Sequence, residues 1–213
     1  MQESGQSPAS LTDEEILTRL QAGDWELFAE LIRRYETPLF QYLWRKLGDY
    51  ELAEDVFQVT FTQVFAKIQY YEPGRPAKPW IYQIATHLAV DAHRARLRRQ
   101  GYPCPSHHDY LAEEHSQAIW ENFPESGAGP AEQLEHAELR QAIRKAVHEL
   151  PRALQEVIHL AYFDGLKYQE IADILEIPLG TVKSRLHTAI SKLAEVWQEM
   201  LNRSHRDSPT GNA

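Results

Sequence analysis

Residues 100–135 constrain the fold of this chain most, because they contain no lysine and no arginine but seven carboxylates. The same stretch contains four prolines and three glycines. Such a composition is typical of a linker with low structural order. The parts on either side, residues 11–99 and 136–199, must therefore each bury a core of their own. We predict two small domains joined by a flexible acidic linker.

The net negative charge of the chain is concentrated in the linker. The 213-residue chain has a formal net charge of −9 and a pI of about 5.6, which alone argues against a nucleic-acid partner. Most of this charge comes from the seven linker carboxylates, since residues 11–99 carry 12 basic and 13 acidic side chains. Residues 136–203 carry nine of each. The net charge therefore says little about whether the domains bind DNA.

Apolar residues recur at helical spacing through the first domain, and no run resembles a strand. Thr12 and Glu15 have the spacing of a capping box, and Gly23 is expected to end the helix that they begin. Asp24 is predicted to cap a second helix, which Pro38 should bend or interrupt before Gly48 ends it.

Two further helices are predicted in this domain, and a loop separates them. The first spans about 51–68. The loop, residues 70–79, contains three prolines and one glycine, which forbid helix. The last helix spans about 80–99, with Pro79 in its first turn.

The second domain is also predicted to be helical, so the fold class is all-α. Its helices are expected at about 131–150, 152–163, 168–175 and from 181 onward. The last two are short helices across a tight turn, a helix-turn-helix arrangement. The residues expected to face the core are Leu154, Val157, Ile158, Ala161, Ile171, Ala172, Leu175, Val182, Leu186, Ile190 and Leu193.

The start of the helix at 181 exposes groups that can contact DNA. Its outward side chains are predicted to be Thr181, Lys183, Ser184, Arg185 and His187. Such side chains bond base edges or phosphates when a helix N-terminus enters a major groove. An ordinary solvated helix face carries the same residue types, so this pattern alone leaves both interpretations open.

The first domain has a second basic region, at the end of its last helix and in the loop before it. The helix end carries Arg94, Arg96, Arg98 and Arg99, which can hold a phosphate backbone or simply complement the helix dipole. The loop and the start of the helix combine aromatic and cationic side chains, a combination typical of single-stranded DNA binding. These residues are Tyr70, Tyr71, Arg75, Lys78 and Trp80. A loop whose aromatics pack onto the core would have the same composition.

Other classes of function have weak support. Cys104, His107, His108 and Asp109 are metal-ligand types, but without a second pair they do not make a site. No glycine-rich phosphate cradle and no nucleophile with an adjacent base is present. His148 and His159 are expected on helix surfaces. We therefore predict no metal, no cofactor and no enzymatic activity.

The location in the cell is inferred from what the sequence lacks. No stretch approaches the roughly 20 consecutive apolar residues of a membrane-spanning helix. The N-terminal residues lack the apolar core of a secretion signal, and the single cysteine excludes a disulfide framework. We expect a cytoplasmic protein without membrane insertion.

Three segments, taken in order, resemble the extracytoplasmic-function sigma factors of bacterial RNA polymerase. Residues 53–61, Ala-Glu-Asp-Val-Phe-Gln-Val-Thr-Phe, resemble the polymerase-binding helix of that family. Residues 79–85, followed by Asp91 and Arg94, resemble its promoter-melting helix. The motifs similar to its second domain lie at 150–151, 168–172 and 177–186.

The resemblance implies a role for each segment. Core RNA polymerase would bind Glu54, Asp55 and Gln58. The loop from Tyr70 to Lys78 would hold a base flipped from the minus-ten element, and the helix from Trp80 to Arg99 would meet the separating strands. The minus-thirty-five element would be read by Thr181, Lys183, Ser184, Arg185 and His187. The acidic linker would thread the RNA exit path, and an anti-sigma regulator is an expected partner.

Several positions depart from the family pattern. Val59 stands where glutamate is frequent, and Thr86-His87 replaces a common Arg-Asn pair. Thr188 and Ile190 replace frequent arginines. Glu176 occupies a usual glycine position, where a left-handed conformation would cost about 1 kcal/mol. We expect these changes to affect promoter choice and strength.

Two alternatives remain at this point. The chain could be a stand-alone helix-turn-helix regulator that binds duplex DNA without polymerase, although such a protein does not need the segment at 53–61 or the loop at 70–78. An enzyme with a Cys/His/Asp site in the linker is the more remote alternative.

Overall fold

The computed structural model describes residues 8–101 and 145–206, and both parts are helical with no strand among these residues. The described residues form two compact units, one of residues 8–101 and 169–177 and the other of residues 145–168 and 178–206. The prediction of an all-α fold with two small helical domains is confirmed. The predicted linker beyond residue 101, with its Cys/His/Asp group, lies outside the described residues.

Residues 8–101 contribute four helices to the first unit. Helix α1 spans Asp13–Gln21, α2 spans Leu27–Leu47, α3 spans Tyr50–Lys67 and α4 spans Ala77–Arg99. Short 3₁₀ turns precede α1 and follow α3. Helix α3 packs against both α2 and α4, and α1 packs against α2 and α4. The largest side chains with almost no exposure are Tyr82, Ile16, Leu17, Leu20, Leu31, Leu39, Leu43 and Ile81.

The first two helices begin differently from each other. The capping box of α1 is confirmed, with the Glu15 N–H donating to Thr12 Oγ1 at 3.2 Å and the Thr12 N–H donating to Glu15 Oε2 at 2.8 Å. The prediction that Asp24 caps α2 is wrong. Helix α2 begins at Leu27, and Glu26 before it already has helical dihedral angles and makes no capping bond. The aspartate lies too early in the chain to reach the first free N–H groups.

Pro38 does not interrupt α2, which is continuous from Leu27 to Leu47. A proline inside a helix costs about 3 kcal/mol, because one hydrogen bond is lost and the ring crowds the preceding turn. Leu31 and Tyr35 before the proline and Leu39 and Leu43 after it are all buried. Each buried side chain of this size contributes roughly 1.5–3 kcal/mol, so packing on both sides outweighs the cost.

Helices α3 and α4 frame the loop between them. Asp49 caps α3, since its Oδ1 accepts from the Leu52 N–H at 3.0 Å. Helix α4 begins at Ala77 rather than near Trp80, which still places Pro79 in the first turn as predicted. The loop is therefore shorter than the sequence indicated.

The second unit is built on α5, Arg152–Ile158, and α7, Leu179–Arg206, which pack against each other. Residues 145–148 are also helical. Helix α6 spans Tyr168–Leu175, and its residues from Gln169 onward are grouped with the first unit. Helix α5 continues as a π-helical turn, His159–Phe163. The extra residue of this turn places His159 and Leu160 in the core and leaves Ala161 half-buried. The prediction of a surface position for His159, which is 4% exposed, is therefore wrong.

The core face of α7 differs from the prediction at two positions, since Ile190 is exposed and Leu193 is only half-buried. Val182 and Leu186 are buried as expected, but Ala189 is fully buried and Ile190 is 43% exposed. Seven residues make nearly two complete turns, so position 189 lies above 182 and position 190 is rotated away. In α6 the inward residue is likewise Ile174 rather than Leu175, which is half-buried.

Glu176, between α6 and α7, has a φ of 52° and is the one non-glycine residue with positive φ among the described residues. Side chains with a Cβ tolerate this region poorly, at a cost of about 1 kcal/mol relative to glycine. The left-handed conformation considered for this departure from the family pattern is thus present in the turn.

Candidate functional site

The loop between α3 and α4 separates its two adjacent tyrosines. Tyr70 is 80% exposed, whereas Tyr71 is 2% exposed. The Tyr71 ring lies 5.2 Å from the Trp80 ring, and its hydroxyl donates to the Arg75 carbonyl. Burial raises the pKa of Tyr71 to about 12, and the negative charges of Glu14 and Asp13 add to the effect. Tyr71, predicted to contact DNA, is instead packed beneath the loop.

Helix α1 holds this loop at both ends, a feature that the sequence analysis missed. The Gln21 amide donates from Nε2 to the Ile68 carbonyl at 2.8 Å and to the Tyr71 carbonyl at 2.6 Å. At the other end, Glu14 Oε1 accepts from the Ala77 N–H at 2.9 Å. Because the bonded residues lie 47 to 63 positions apart in the sequence, no local sequence pattern predicts these contacts.

The predicted cations of the loop have partners of their own. Arg75 forms an exposed ion pair with Glu72, with Nε and Oε2 2.7 Å apart. The Lys78 ammonium lies 5.6 Å from the centre of the Tyr82 ring. Exposed ion pairs contribute about 0–1 kcal/mol, so Arg75 can exchange its carboxylate for a phosphate at little cost.

The arginines at the end of α4 fall into two groups. Arg96 donates to Asp49 Oδ2 at 2.8 Å and so ties the end of α4 to the start of α3. Arg94 lies 3.9 Å from Asp91 and is largely covered. Arg98 and Arg99 are exposed in the last turn of the helix. The predicted phosphate-binding set therefore has Arg98 and Arg99 as its exposed members and Arg96 as a structural one.

Helix α3 presents the polar residues named by the resemblance. Glu54, Asp55 and Gln58 are all exposed, and their spacing of three and four residues places them on one face. Val59, where the family often has glutamate, is 45% exposed on the neighbouring face.

An apolar groove of about 410 Å³ lies beside this face, between α2 and α3. Gln58 and Thr62 form its polar edge. The apolar lining consists of Phe28, Ile32, Phe57, Phe61 and Phe65.

The first two turns of α7 have the predicted outward exposure at three of the five positions named for DNA reading. Lys183, Ser184 and His187 are exposed, whereas Thr181 and Arg185 are half-buried. The Ser184 hydroxyl donates to the Thr181 carbonyl at 3.0 Å, which leaves its oxygen able to accept a further bond. The structure brings the five side chains to one helix end, and their contact with bases stays a prediction.

Metal and membrane sites were sought within residues 8–101 and 145–206. No group of three or more His, Cys, Asp or Glu side chains there is arranged to hold a metal ion. In the same ranges, no helix has the length and apolar character required to cross a bilayer.

Both domains match known protein families. Residues 31–99 match the family described as sigma-70 region 2, and residues 140–193 match sigma-70, region 4. The first match includes α3, the loop and α4, and the second includes α5 to the middle of α7.

Full-length relatives match both domains together. The chain is 30% identical to the "ECF RNA polymerase sigma factor SigW" of Bacillus subtilis, a match that covers 86% of this chain and 96% of the relative. It is also 30% identical to the "ECF RNA polymerase sigma-E factor" of Haemophilus influenzae, with 90% and 98% covered.

Two solved structures share the fold. One is CnrH in complex with the cytosolic domain of CnrY, with a TM-score of 0.56, 21% identity, and 88% of this chain and 97% of that chain covered. The other is the sigma factor RpoE from Bartonella quintana in complex with the anti-sigma factor NepR, with a TM-score of 0.51 and 23% identity. That match covers 83% of this chain and 96% of the solved chain.

Proposed function

The chain belongs to the extracytoplasmic-function sigma factors of bacterial RNA polymerase, and from this premise we propose how its two domains divide the work of initiation. As a member of this family it directs RNA polymerase to promoters. The stand-alone regulator is not favoured, because the matched families include region 2 and not only the helix-turn-helix domain. The family consists of noncatalytic initiation factors. We propose that this chain likewise has no enzymatic activity, needs no cofactor and acts in the cytoplasm.

The proposed polymerase-binding surface is the exposed face of α3. Glu54, Asp55 and Gln58 offer two carboxylates and an amide to a partner that supplies cations and backbone donors. Their side chains are held on a helix whose opposite face is buried through Val56 and Thr60. Because the helix is already formed, binding incurs no cost of ordering its backbone, although each long side chain still loses rotamer freedom.

The proposed minus-ten surface consists of the loop and the C-terminal part of α4. Tyr70 is placed to stack on an unstacked base, and base–aromatic stacking contributes about 1–3 kcal/mol. Arg75 and Lys78 flank the loop, and Arg98 and Arg99 extend the basic track to the helix end. In this proposal Tyr71, Trp80 and Arg96 support the surface, whereas Arg94 lies at its covered edge.

The proposed minus-thirty-five surface is the start of α7. Lys183, Ser184 and His187 supply donors and acceptors for base edges, and Arg185 and Thr181 lie beside them. Their position at the helix N-terminus suits entry into a major groove. The exposed Thr188 and Ile190 offer no positive charge one turn further on. Fewer phosphate contacts on this domain are therefore expected.

We also propose two further features of the complex. The acidic linker passes through the RNA exit path of the polymerase, where its carboxylates imitate nucleic acid; its seven acids and absent cations support this. An anti-sigma protein is the proposed regulator. The structure of Bartonella quintana RpoE contains the anti-sigma factor NepR, and that structure shares the fold of this chain.

The observation that carries the proposed arrangement is the exposure of three polar residues on the α3 helix, within the matched region 2. The test is a titration of labelled core RNA polymerase with the full chain and with the variants Glu54→Lys and Asp55→Lys. Each charge reversal is expected to weaken binding at least ten-fold, while Glu36→Lys, an exposed reversal on α2, serves as the matched control. Equal binding by all four proteins would refute the α3 surface, and promoter binding without polymerase would favour the stand-alone regulator.

A further inference from the structure

We propose that α1 is a positioning element for base capture, and that Glu14 and Gln21 set the geometry of the loop that carries Tyr70. This inference rests on the proposed function and extends it to a helix outside the matched region 2, which begins at residue 31. Neither side chain needs to touch DNA. Both act through the backbone of the loop.

Gln21 fixes the start of the loop. Its single amide group bonds the carbonyls of Ile68 and Tyr71, the residues that enclose Tyr70 in the chain. In return, the Gln69 amide lies 3.4 Å from the Gln21 carbonyl. An amide has two N–H donors, so both loop carbonyls are satisfied by one half-buried side chain. The backbone on each side of Tyr70 is thus held to α1.

Glu14 fixes the end of the loop. The first N–H groups of a helix have no partner within that helix, and the residue before α4 is Pro76, which provides no side-chain cap. The Glu14 carboxylate supplies the missing acceptor at the Ala77 N–H. Its negative charge also suits the positive end of the α4 dipole.

Tyr71 links the middle of the loop to its two ends. Its ring packs on Trp80 and its hydroxyl bonds the Arg75 carbonyl, so the backbone between the two α1 contacts is also bridged. Gly74 supplies the positive φ of 94° that the turn requires. With the backbone anchored at three places, Tyr70 is held outward before DNA arrives.

This anchoring has a measurable consequence. If an anchor is removed, the loop samples other conformations, and the apparent affinity for the flipped base falls by the fraction that remains competent. The opening rate on the preferred base should fall most, because its advantage depends on the ordered loop. The other bases gain little from that loop, so the preference among bases at the captured position becomes smaller. Contacts of α7 with the minus-thirty-five element should be unaffected.

The test uses the full chain with core polymerase and a series of promoters that carries each of the four bases at every minus-ten position. The readout is the ratio of open-complex formation rates between the best and the worst base. Gln21→Met keeps the length of the side chain and removes its donors, and it is expected to lower this ratio about ten-fold. Because the ratio compares templates for one protein, a smaller folded fraction cancels.

Matched variants separate positioning from stability. Glu14→Ala should lower the ratio in the same way, whereas Glu14→Gln retains an acceptor oxygen and should restore most of it. Thr18→Ala lies on the same helix, and its hydroxyl bonds the Glu14 carbonyl, so it should leave the ratio unchanged. Affinity for a minus-thirty-five duplex should equal that of the wild type in every variant.

Each outcome decides one question. A wild-type ratio in both Gln21→Met and Glu14→Ala would overturn the positioning role while the proposed function stood. A loss that Glu14→Gln does not restore would overturn the role of the Glu14 acceptor. If the wild-type protein forms no open complexes on any template, the proposed function fails, and the positioning role fails with it.

Discussion

Tyr70 and Tyr71 are neighbours in the sequence, yet their replacement should have opposite consequences. Tyr71 is 2% exposed and packs on Trp80, so Tyr71→Ala removes a buried aromatic side chain and should cost about 3–5 kcal/mol of unfolding free energy. Tyr71→Phe loses only the hydroxyl bond to the Arg75 carbonyl, which contributes roughly 0.5–1.5 kcal/mol. Tyr70 is 80% exposed, so Tyr70→Ala should change stability by less than about 0.5 kcal/mol.

The effects on promoter opening should be reversed. Loss of one stacking platform costs about 1–3 kcal/mol, which corresponds to a roughly 5- to 150-fold slower formation of open complexes by Tyr70→Ala. Urea unfolding of the free chain gives the stability, and the rate of open-complex formation with core polymerase gives the function. Tyr71→Phe loses one of the bonds that hold the loop but keeps the stacking platform, so it should slow open-complex formation less than Tyr70→Ala does. Equal stability losses for Tyr70→Ala and Tyr71→Ala, or a wild-type rate for Tyr70→Ala, would refute this division of roles.

Three further predictions concern electrostatics. Asp49→Ala removes both the α3 cap and the partner of Arg96 and should cost about 1–2 kcal/mol in urea unfolding, whereas Asp49→Asn keeps the cap and should cost less than about 1 kcal/mol. Hydrogen bonds from two arginines lower the pKa of Glu30 from 4.5 to about 2, so its stabilising contribution is complete above pH 4.5 and is lost as the pH falls towards 2. Glu30→Gln should flatten that acid-side loss, and an unchanged pH profile would contradict it. Arg98→Ala and Arg99→Ala should each lower the slope of log K against log salt for promoter binding by about 1, while Arg96→Ala should leave the slope unchanged.

The helices were predictable from sequence wherever the signals were local. The capping box at Thr12, the proline in the first turn of α4 and the outward face at the start of α7 depend on residues within one or two turns. One departure in register arose where the local geometry changed, whereas those at Leu175 and Ile190 are errors of one position within regular helices. The π-helical turn at His159–Phe163 places His159 in the core instead of on the surface, and a rule based on 3.6 residues per turn does not predict this.

The support of the loop was not predictable, because it depends on tertiary contacts. The sequence does not distinguish the two adjacent tyrosines, and tertiary contacts, such as that of Tyr71 with Trp80, bury one of them. Gln21 had no distinguishing pattern in the sequence, although it bonds carbonyls about 50 residues away. In the sequence, Arg96 is likewise one of several neighbouring arginines, and only its ion pair with Asp49 in the structure distinguishes it.

The resemblance supplied what local patterns did not. Composition and periodicity left both a DNA-reading helix and a solvated helix face open. Matches to sigma-70 region 2 and region 4, in that order, decide between a sigma factor and a stand-alone regulator. The individual contacts with polymerase and promoter remain proposals that the variants above address.

Transcription by purified core RNA polymerase on genomic DNA, with and without the full chain, tests the central claim most directly. The account predicts that the chain produces transcripts with a small set of discrete start sites, and that Glu54→Lys abolishes them while Glu36→Lys does not. Discrete starts that are identical with and without the chain would contradict it.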